Sequence, residues 1–281
     1  VVNRLQIVHT TGYRYSEGAA TSFNEVRMTP RTTREQFARF WRVEVSPQAW
    51  THTYTDYWGT QVTAFEVDER HDRLKVVATS TVEVDRRPGE GQRLSWDDLA
   101  EPQLTDDMVE SLTFGGHTDP GPELTAIARR IAKGAERPAD VVGPVVAAVR
   151  DHVRYVQGVT RVQTRAFEAW EAGAGVCQDM VHLTVGALRS VGIPAQYVSG
   201  YVLPSRDPVV GETVVGESHS WVNWWDGAWL AYDPANDVVP GNYHVEVGVG
   251  RDYSDVPPLM GVYAGGGESD MYVQVEMTLL E

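Results

Sequence analysis

Residues Gly173–Ala187 read G-A-G-V-C-Q-D-M-V-H-L-T-V-G-A and hold Cys177, the only cysteine of the chain. Small residues precede it. Met180, Val181, Leu183, Thr184, Ala187, Leu188 and Val191 follow at the i, i+3, i+4, i+7 spacing of one helix face. Gly192 and Pro194 stop the pattern. The spacing predicts a buried helix with Cys177 in or near its first turn. There the unpaired N–H groups and the positive end of the dipole favour a thiolate. A chain built around such a helix must bury it, and hydrophobic residues at 42% of 281 supply the core.

The pattern on either side of this helix differs. Residues 1–115 read as β-rich, with Arg4–His9, Phe40–Val45, Gln61–Phe65 and Leu74–Val84 enriched in β-branched and aromatic residues. Pro30, Pro47, Gly59 and Pro88–Gly91 punctuate them. Residues 95–120 are acidic and rich in Pro and Gly, and read as a linker. The boundary is therefore set at 115/116, with a second unit over 116–281. Glu123–Gly134, Pro138–Val156 and Arg165–Glu171 read as helices, with Pro144 suggesting a separate short turn at the start of the second. After Pro194 the pattern turns to strands at Ala195–Leu203, Ser218–Trp225, Ala228–Asp233, Tyr243–Val249 and Met271–Leu279. Helices followed by strands give an α+β class, preceded by a sandwich or barrel-like β-rich domain. Gly265–Gly267 is a loop and no phosphate cradle, because no Gly-Lys-Ser/Thr follows it.

Composition narrows the function classes. A formal net charge of −15 and a pI near 4.9 argue against nucleic acid and anionic membrane as partners. One cysteine excludes a disulfide framework and a multi-cysteine zinc site. His152 and His244 have no partner at metal spacing, so neither metal nor cofactor is expected. No stretch reaches the ~18–20 apolar residues of a membrane span. Val1–Arg14 lacks the basic and apolar regions of a signal peptide, and a cytoplasmic protein is expected.

A thiol nucleophile needs a base, and the base needs an orienting group. His219 opens the strand Ser218–Trp225 and Asp233 closes the next one. Asp226–Gly227 between them signals a hairpin turn. A two-residue loop pairs Trp225 with Ala228 and sends His219 and Asp233 to opposite faces. A three-residue loop, Trp225–Asp226–Gly227, pairs Trp224 with Ala228 and sets His219 directly opposite Asp233, with Cβ atoms about 5 Å apart. The three-residue form is expected, because only that parity joins imidazole to carboxylate.

These residues resemble the bacterial transglutaminase-like family. The matching motifs are Gly175–Val176–Cys177–Gln178–Asp179, Gly192–Ile193–Pro194–Ala195, Ser218–His219–Ser220–Trp221–Val222, Asp233–Pro234–Ala235–Asn236 and Gly250–Arg251–Asp252–Tyr253. Tyr13–Tyr15 and Phe23–Asn24–Glu25–Val26 extend the resemblance to the N-terminal region. It implies a papain-like transglutaminase core with Cys177 as nucleophile, His219 as base and acid, and Asp233 as orienter. It further implies a transglutaminase-like cysteine protease or amidase, cleaving or exchanging a peptide, isopeptide or glutamine-amide bond through a thioester. An amine acyltransferase with the same triad and a non-catalytic binding module on this fold are the alternatives. The Cys177 backbone N–H is a natural oxyanion donor, and Gln178 and Tyr155 are candidates for a second. Trp221 and Trp224 are candidate cleft walls. His182 is expected to be structural. The substrate is expected to be a peptide or protein amide. The N-terminal strands could cover the cleft, bind a substrate protein or join two copies as a homo-oligomer.

Overall fold

The computed structural model describes residues 2–87, 89–205 and 207–281. Val1, at the head of the N-terminal stretch, and Pro88, one of the turn signals, lie outside the described residues. The chain is organised on two antiparallel sheets with helices against one of them.

The first sheet is built on β1 (Asn3–Val26), a 24-residue strand far longer than Arg4–His9. Buried Leu5, Ile7, His9 and Thr11 alternate along its first part, the period-2 signature of a strand with one covered face. A register shift between Arg14 and Ala19 bends it. Gly18 lies in this segment with φ +76°, a conformation that glycine reaches without a Cβ clash. Before the bend β1 runs between β5 (His71–Val84) and β14 (Ser269–Leu279). After it β1 runs between β4 (Gln61–Val67) and β13 (Leu259–Gly265). β2 (Gln36–Ser46), β3 (Thr51–Thr55) and β9 (Thr213–Gly216) complete this half-barrel sheet.

The boundary at 115/116 is therefore corrected in two ways. Residues 213–216 and 259–279 return to the N-terminal sheet and pair with it. The stretch read as a linker forms three short helices, α1 (Trp96–Leu99), α2 (Pro102–Asp107) and α3 (Val109–Leu112). Leu99 and Leu104 join the helical core, so this segment belongs with the second unit. Sequence pattern missed it because four- to six-residue helices are too short to show a period.

The second unit holds α4 (Gly121–Gly134), α5 (Ala139–His152), β6 (Arg154–Tyr155), α6 (Ala166–Ala172), β7 (Ala174–Gly175) and α7 (Cys177–Arg189). α5 continues through Pro144 without a break. Its sheet has the order β11–β10–β8–β12, from β8 (Ala195–Val202), β10 (Ser218–Trp225), β11 (Trp229–Tyr232) and β12 (His244–Gly250).

α7 is buried along its whole length from Gln178 to Arg189, not on one face. Its apolar side meets Val145, Val149 and Val222, and burying each of Leu183, Leu188 and Ile193 is worth about 1.5–3 kcal/mol. Its other side is closed by chain. A Cβ on Gly186 would stand 1.9 Å from the Thr118 carbonyl oxygen. Gly186→Ala is therefore expected to cost about 1–3 kcal/mol, read as a lower urea midpoint at unchanged slope. The back of the β8–β12 pair is joined to the half-barrel by Tyr201, Val245 and Val247 against Leu5, Val82 and Met277. The described half-barrel thus braces the β11–β10–β8–β12 sheet from behind.

Candidate active site

The start of α7 is fixed by one carboxylate. Asp179 Oδ2 accepts the backbone N–H of Val176 at 2.8 Å and the hydroxyl of Thr160 at 2.6 Å. Gly175 is required beside it, since a Cβ there would lie 2.7 Å from Asp179 Cβ. Burial pushes the Asp179 carboxyl up, against the bonds from Thr160 and Val176. Cys177 becomes the first helical residue, half-buried and free, beside first-turn N–H groups that have no partner within a helix.

The hairpin supplies the other half, with a corrected register. Trp225 pairs with Trp229 and Trp224 with Leu230, so the three-residue loop is Asp226–Gly227–Ala228. Gly227 takes the left-handed conformation at φ +76°. His219 and Asp233 share a face but are offset along the sheet by one diagonal step. Asp233 lies just past β11, in an isolated bridge to Val238. Asp226 explains the shift: its carboxylate accepts the backbone N–H groups of Arg93 and Leu94, which anchors it as the first loop residue.

The diagonal placement still brings the groups together. His219 Nε2–H donates to Asp233 Oδ2 at 2.7 Å. Cys177 acts on the same imidazole, and with Nε2 taken by Asp233, Nδ1 is the nitrogen left for the sulfur. Burial opposes a charge on His219. The hydrogen bonds and charges of Asp233 and Cys177 outweigh it and raise the ring to about 10. Asp233 is fully buried. Burial alone would push its carboxyl up, but bonds from His219, His244 and Asn236 and the His219 charge hold it well below the usual carboxylate range. Its Oδ2 accepts from Asn236 Nδ2 at 2.7 Å and His244 Nε2 at 3.2 Å, and its Oδ1 from the backbone N–H groups of Ala235 and Asn236 at 3.0 and 3.1 Å.

His244 and Asn236 were not legible as site residues, and the expectation that His244 has no partner at metal spacing is corrected. The strand β12 returns it to Asp233 from eleven residues away. His219, Asp233 and His244 place their ligand atoms within 4.8 Å of one another. The donor pattern does not suit a cation there. The Gly241 N–H donates to His244 Nδ1 at 3.2 Å, so the ring proton sits on Nε2 and no lone pair faces Asp233.

The remaining candidates separate. Tyr155 is half-exposed and lines a cleft of about 930 Å³ with Gln157, Pro204, Glu217, His219 and Asn236. Burial and the neighbouring Cys177 and Glu217 push its phenol up to about 12, which keeps the hydroxyl a donor. Gln178 spends an amide N–H on the Val162 carbonyl at 3.2 Å, and so holds the loop before α6. Trp221 and Trp224 are corrected as cleft walls. Trp221 is fully buried against Val198 and Val249 on one face of the sheet, and Trp224 joins the helical core on the other. Alternation along β10 sends these two indoles to opposite buried faces. His182 is fully buried and accepts the Tyr253 N–H at 3.1 Å.

Two family descriptions match the sequence. Residues 5–83 match the bacterial transglutaminase-like N-terminal region, and residues 125–234 match the transglutaminase-like superfamily. An uncharacterized protein of Mycobacterium leprae (strain TN) is 43% identical over 277 residues, covering 99% of both chains. One of Mycobacterium tuberculosis (strain ATCC 25618 / H37Rv) is 30% identical over 300 residues, covering 99% of this chain and 94% of that one. Among solved structures, a candidate cysteine protease of Cytophaga hutchinsonii superposes with a TM-score of 0.81 at 21% identity, over 100% of this chain and 92% of that one. The chain belongs to the transglutaminase-like superfamily, as a bacterial-type member with the β-rich N-terminal region. Among the described residues no helix is long and apolar enough to cross a membrane.

Proposed function

We propose that the chain is an acyl-transfer enzyme that cleaves a peptide, isopeptide or glutamine-amide bond through a thioester on Cys177. One observation carries this reading: a half-buried thiol acts on an imidazole whose Nε2 is bonded to a fully buried carboxylate. In this reading the Cys177 sulfur attacks the amide carbonyl as a thiolate, with the proton on His219. The Cys177 backbone N–H, at the helix start, faces the developing oxyanion, and the Tyr155 hydroxyl is the second donor. His219 Nδ1–H then protonates the leaving amine, the C–N bond breaks, and a thioester remains. Water, activated by the now neutral His219, adds to the thioester and releases the acid and the thiol. A primary amine in place of water makes the same site an acyltransferase.

The cleft holds one carboxylate at its rim, Glu217, and the chain is acidic. This supports a peptide or protein amide as partner and does not support nucleic acid or an anionic membrane. A reducing, cytoplasmic compartment suits a working free thiol.

The test is alkylation of Cys177 by iodoacetamide across pH. An inert thiol of ordinary pKa, about 8.5, is scarcely ionised at pH 6. A paired one is expected to label there about a hundredfold faster, and His219→Ala to remove that advantage. Equal, slow labelling of both proteins would favour the non-catalytic binding module.

A further inference from the structure

We propose that His244 is a positioning residue of this site: it donates its Nε2–H to Asp233 and keeps that carboxylate ionised and aimed while His219 gives up its proton. The inference rests on the function proposed above and adds a fourth residue to it.

The tautomer is the first argument. His244 opens β12, and its side chain is 7% exposed. The Gly241 backbone N–H points at Nδ1, so that nitrogen must offer a lone pair. The proton is then on Nε2, 3.2 Å from Asp233 Oδ2. The Trp221 ring meets the imidazole edge-on at 5.5 Å and 89°, which fixes its plane.

The second argument is charge. The charged groups facing His244 are Asp233 after β11, His219 on β10 and Arg86 after β5, whose guanidinium lies 6.0 Å from the Trp221 ring. Burial and the His219 and Arg86 charges pull His244 down, against Asp233, so it stays neutral. A cation in its place would compete with His219 for Asp233. A neutral N–H does not. It matters most when His219, which faces Asp233 and Cys177, has passed its Nδ1 proton to the leaving amine. Asp233 is then a buried carboxylate without a counter-charge, and its remaining donors decide whether it stays ionised. His219 on β10 and His244 on β12 are the donors from outside the 233–236 turn, so His244 also fixes Asp233 against rotation.

Selective ¹⁵N labelling of the histidines tests this directly. The wild-type protein is expected to show His244 as the neutral Nε2–H tautomer at and above neutral pH. His244→Phe removes the donor and leaves Asp233 less stabilised when His219 is neutral, so His219 should hold its proton more tightly. Its titration is expected to rise by about half to one pH unit. Turnover of p-nitroacetanilide, whose leaving amine takes that proton, should fall about tenfold in kcat with KM nearly unchanged. His244→Gln, which can present an N–H at the same reach, should restore both. A purely structural role would lower the melting temperature without moving the His219 titration. Wild-type His244 carrying its proton on Nδ1, or an unmoved His219 titration in His244→Phe, or a Gln variant as deficient as Phe, would overturn the proposal. Should His244→Phe fail to fold, the wild-type tautomer and the Gln variant decide. If wild-type Cys177 is never acylated, the function proposed above fails separately, because tautomer and titration are read without turnover.

Discussion

Asp233→Asn is expected to lower acyl turnover on the order of a thousandfold or more, with little change in the fold. Five N–H groups converge on the two Asp233 oxygens. An asparagine amide offers one acceptor oxygen and turns two N–H groups toward the rest. Either the backbone donors of Ala235 and Asn236 or the imidazoles of His219 and His244 then face another donor. The charge is lost as well. Burial, which now acts on His219 without a carboxylate, favours the neutral ring, and the thiolate–imidazolium pair gives way to thiol and imidazole. Iodoacetamide labelling of Cys177 at pH 6 should collapse with turnover.

The same pair sets a pH window for stability. His219 is raised from 6.5 to about 10, so its contribution is complete below pH 6.5 and is lost as pH rises toward 10. Asp233 is depressed from 3.8, so its contribution is complete above about pH 4 and is lost as pH falls. The stability gap between wild type and Asp233→Asn should therefore be widest between about pH 4 and 6.5. Urea unfolding at pH 5 and pH 9.5 measures it.

Arg189→Met is expected to destabilise the protein by about 3–5 kcal/mol and to lower Tm on the order of 10 °C. Arg189 ends α7 and is 4% exposed. Its guanidinium donates to the carbonyls of Ser111, Thr113, Ala195 and Arg251 and to the Thr118 hydroxyl. Burial pulls it down to about 10, with Asp252 and Asp255 opposing, so it remains charged at neutral pH. It ties four chain segments to the far end of the nucleophile helix. Methionine fills the space but leaves those carbonyls buried without donors. Cys177 is twelve residues away, about 18 Å along the helix axis. Alkylation of Cys177 at low temperature should therefore be nearly unaffected while the denaturation midpoint falls. Arg189→Lys keeps the charge with fewer donors and should fall between.

The local parts of this architecture were legible because their signals are local. α7 announces itself by apolar positions at helical spacing and a Gly–Pro stop, and β8, β10 and β12 by their β-branched and aromatic residues. The parity that places His219 and Asp233 on one face followed from the chemistry, since Asp226–Gly227 suits both loop lengths, and the register was not readable. It depends on Asp226 being held by the backbone of residues 93–94, a contact across more than 130 positions. His244 was illegible for the same reason, since only strand pairing of β12 with β8 returns it to Asp233. Arg189 is a basic residue in the last turn of a helix, where solvent is the usual partner, and nothing local marks it as buried. The return of residues 259–279 to β1 breaks the linear division of the chain, and no pattern in either segment names its partner. Trp221 and Trp224 show the opposite failure: large aromatics beside a candidate site suggest a cleft, yet strand alternation buries both.

The central claim is that Cys177 carries the acyl group. The measurement that meets it most directly is mass spectrometry of the intact protein and its peptides after exposure to p-nitrophenyl acetate at pH 6. In the wild type, one acetyl group is expected on Cys177, forming quickly and disappearing with time. In His219→Ala the adduct is expected to form far more slowly and to persist once formed. Acetylation confined to lysines, or a Cys177 adduct that appears at the same rate with and without His219, would contradict it.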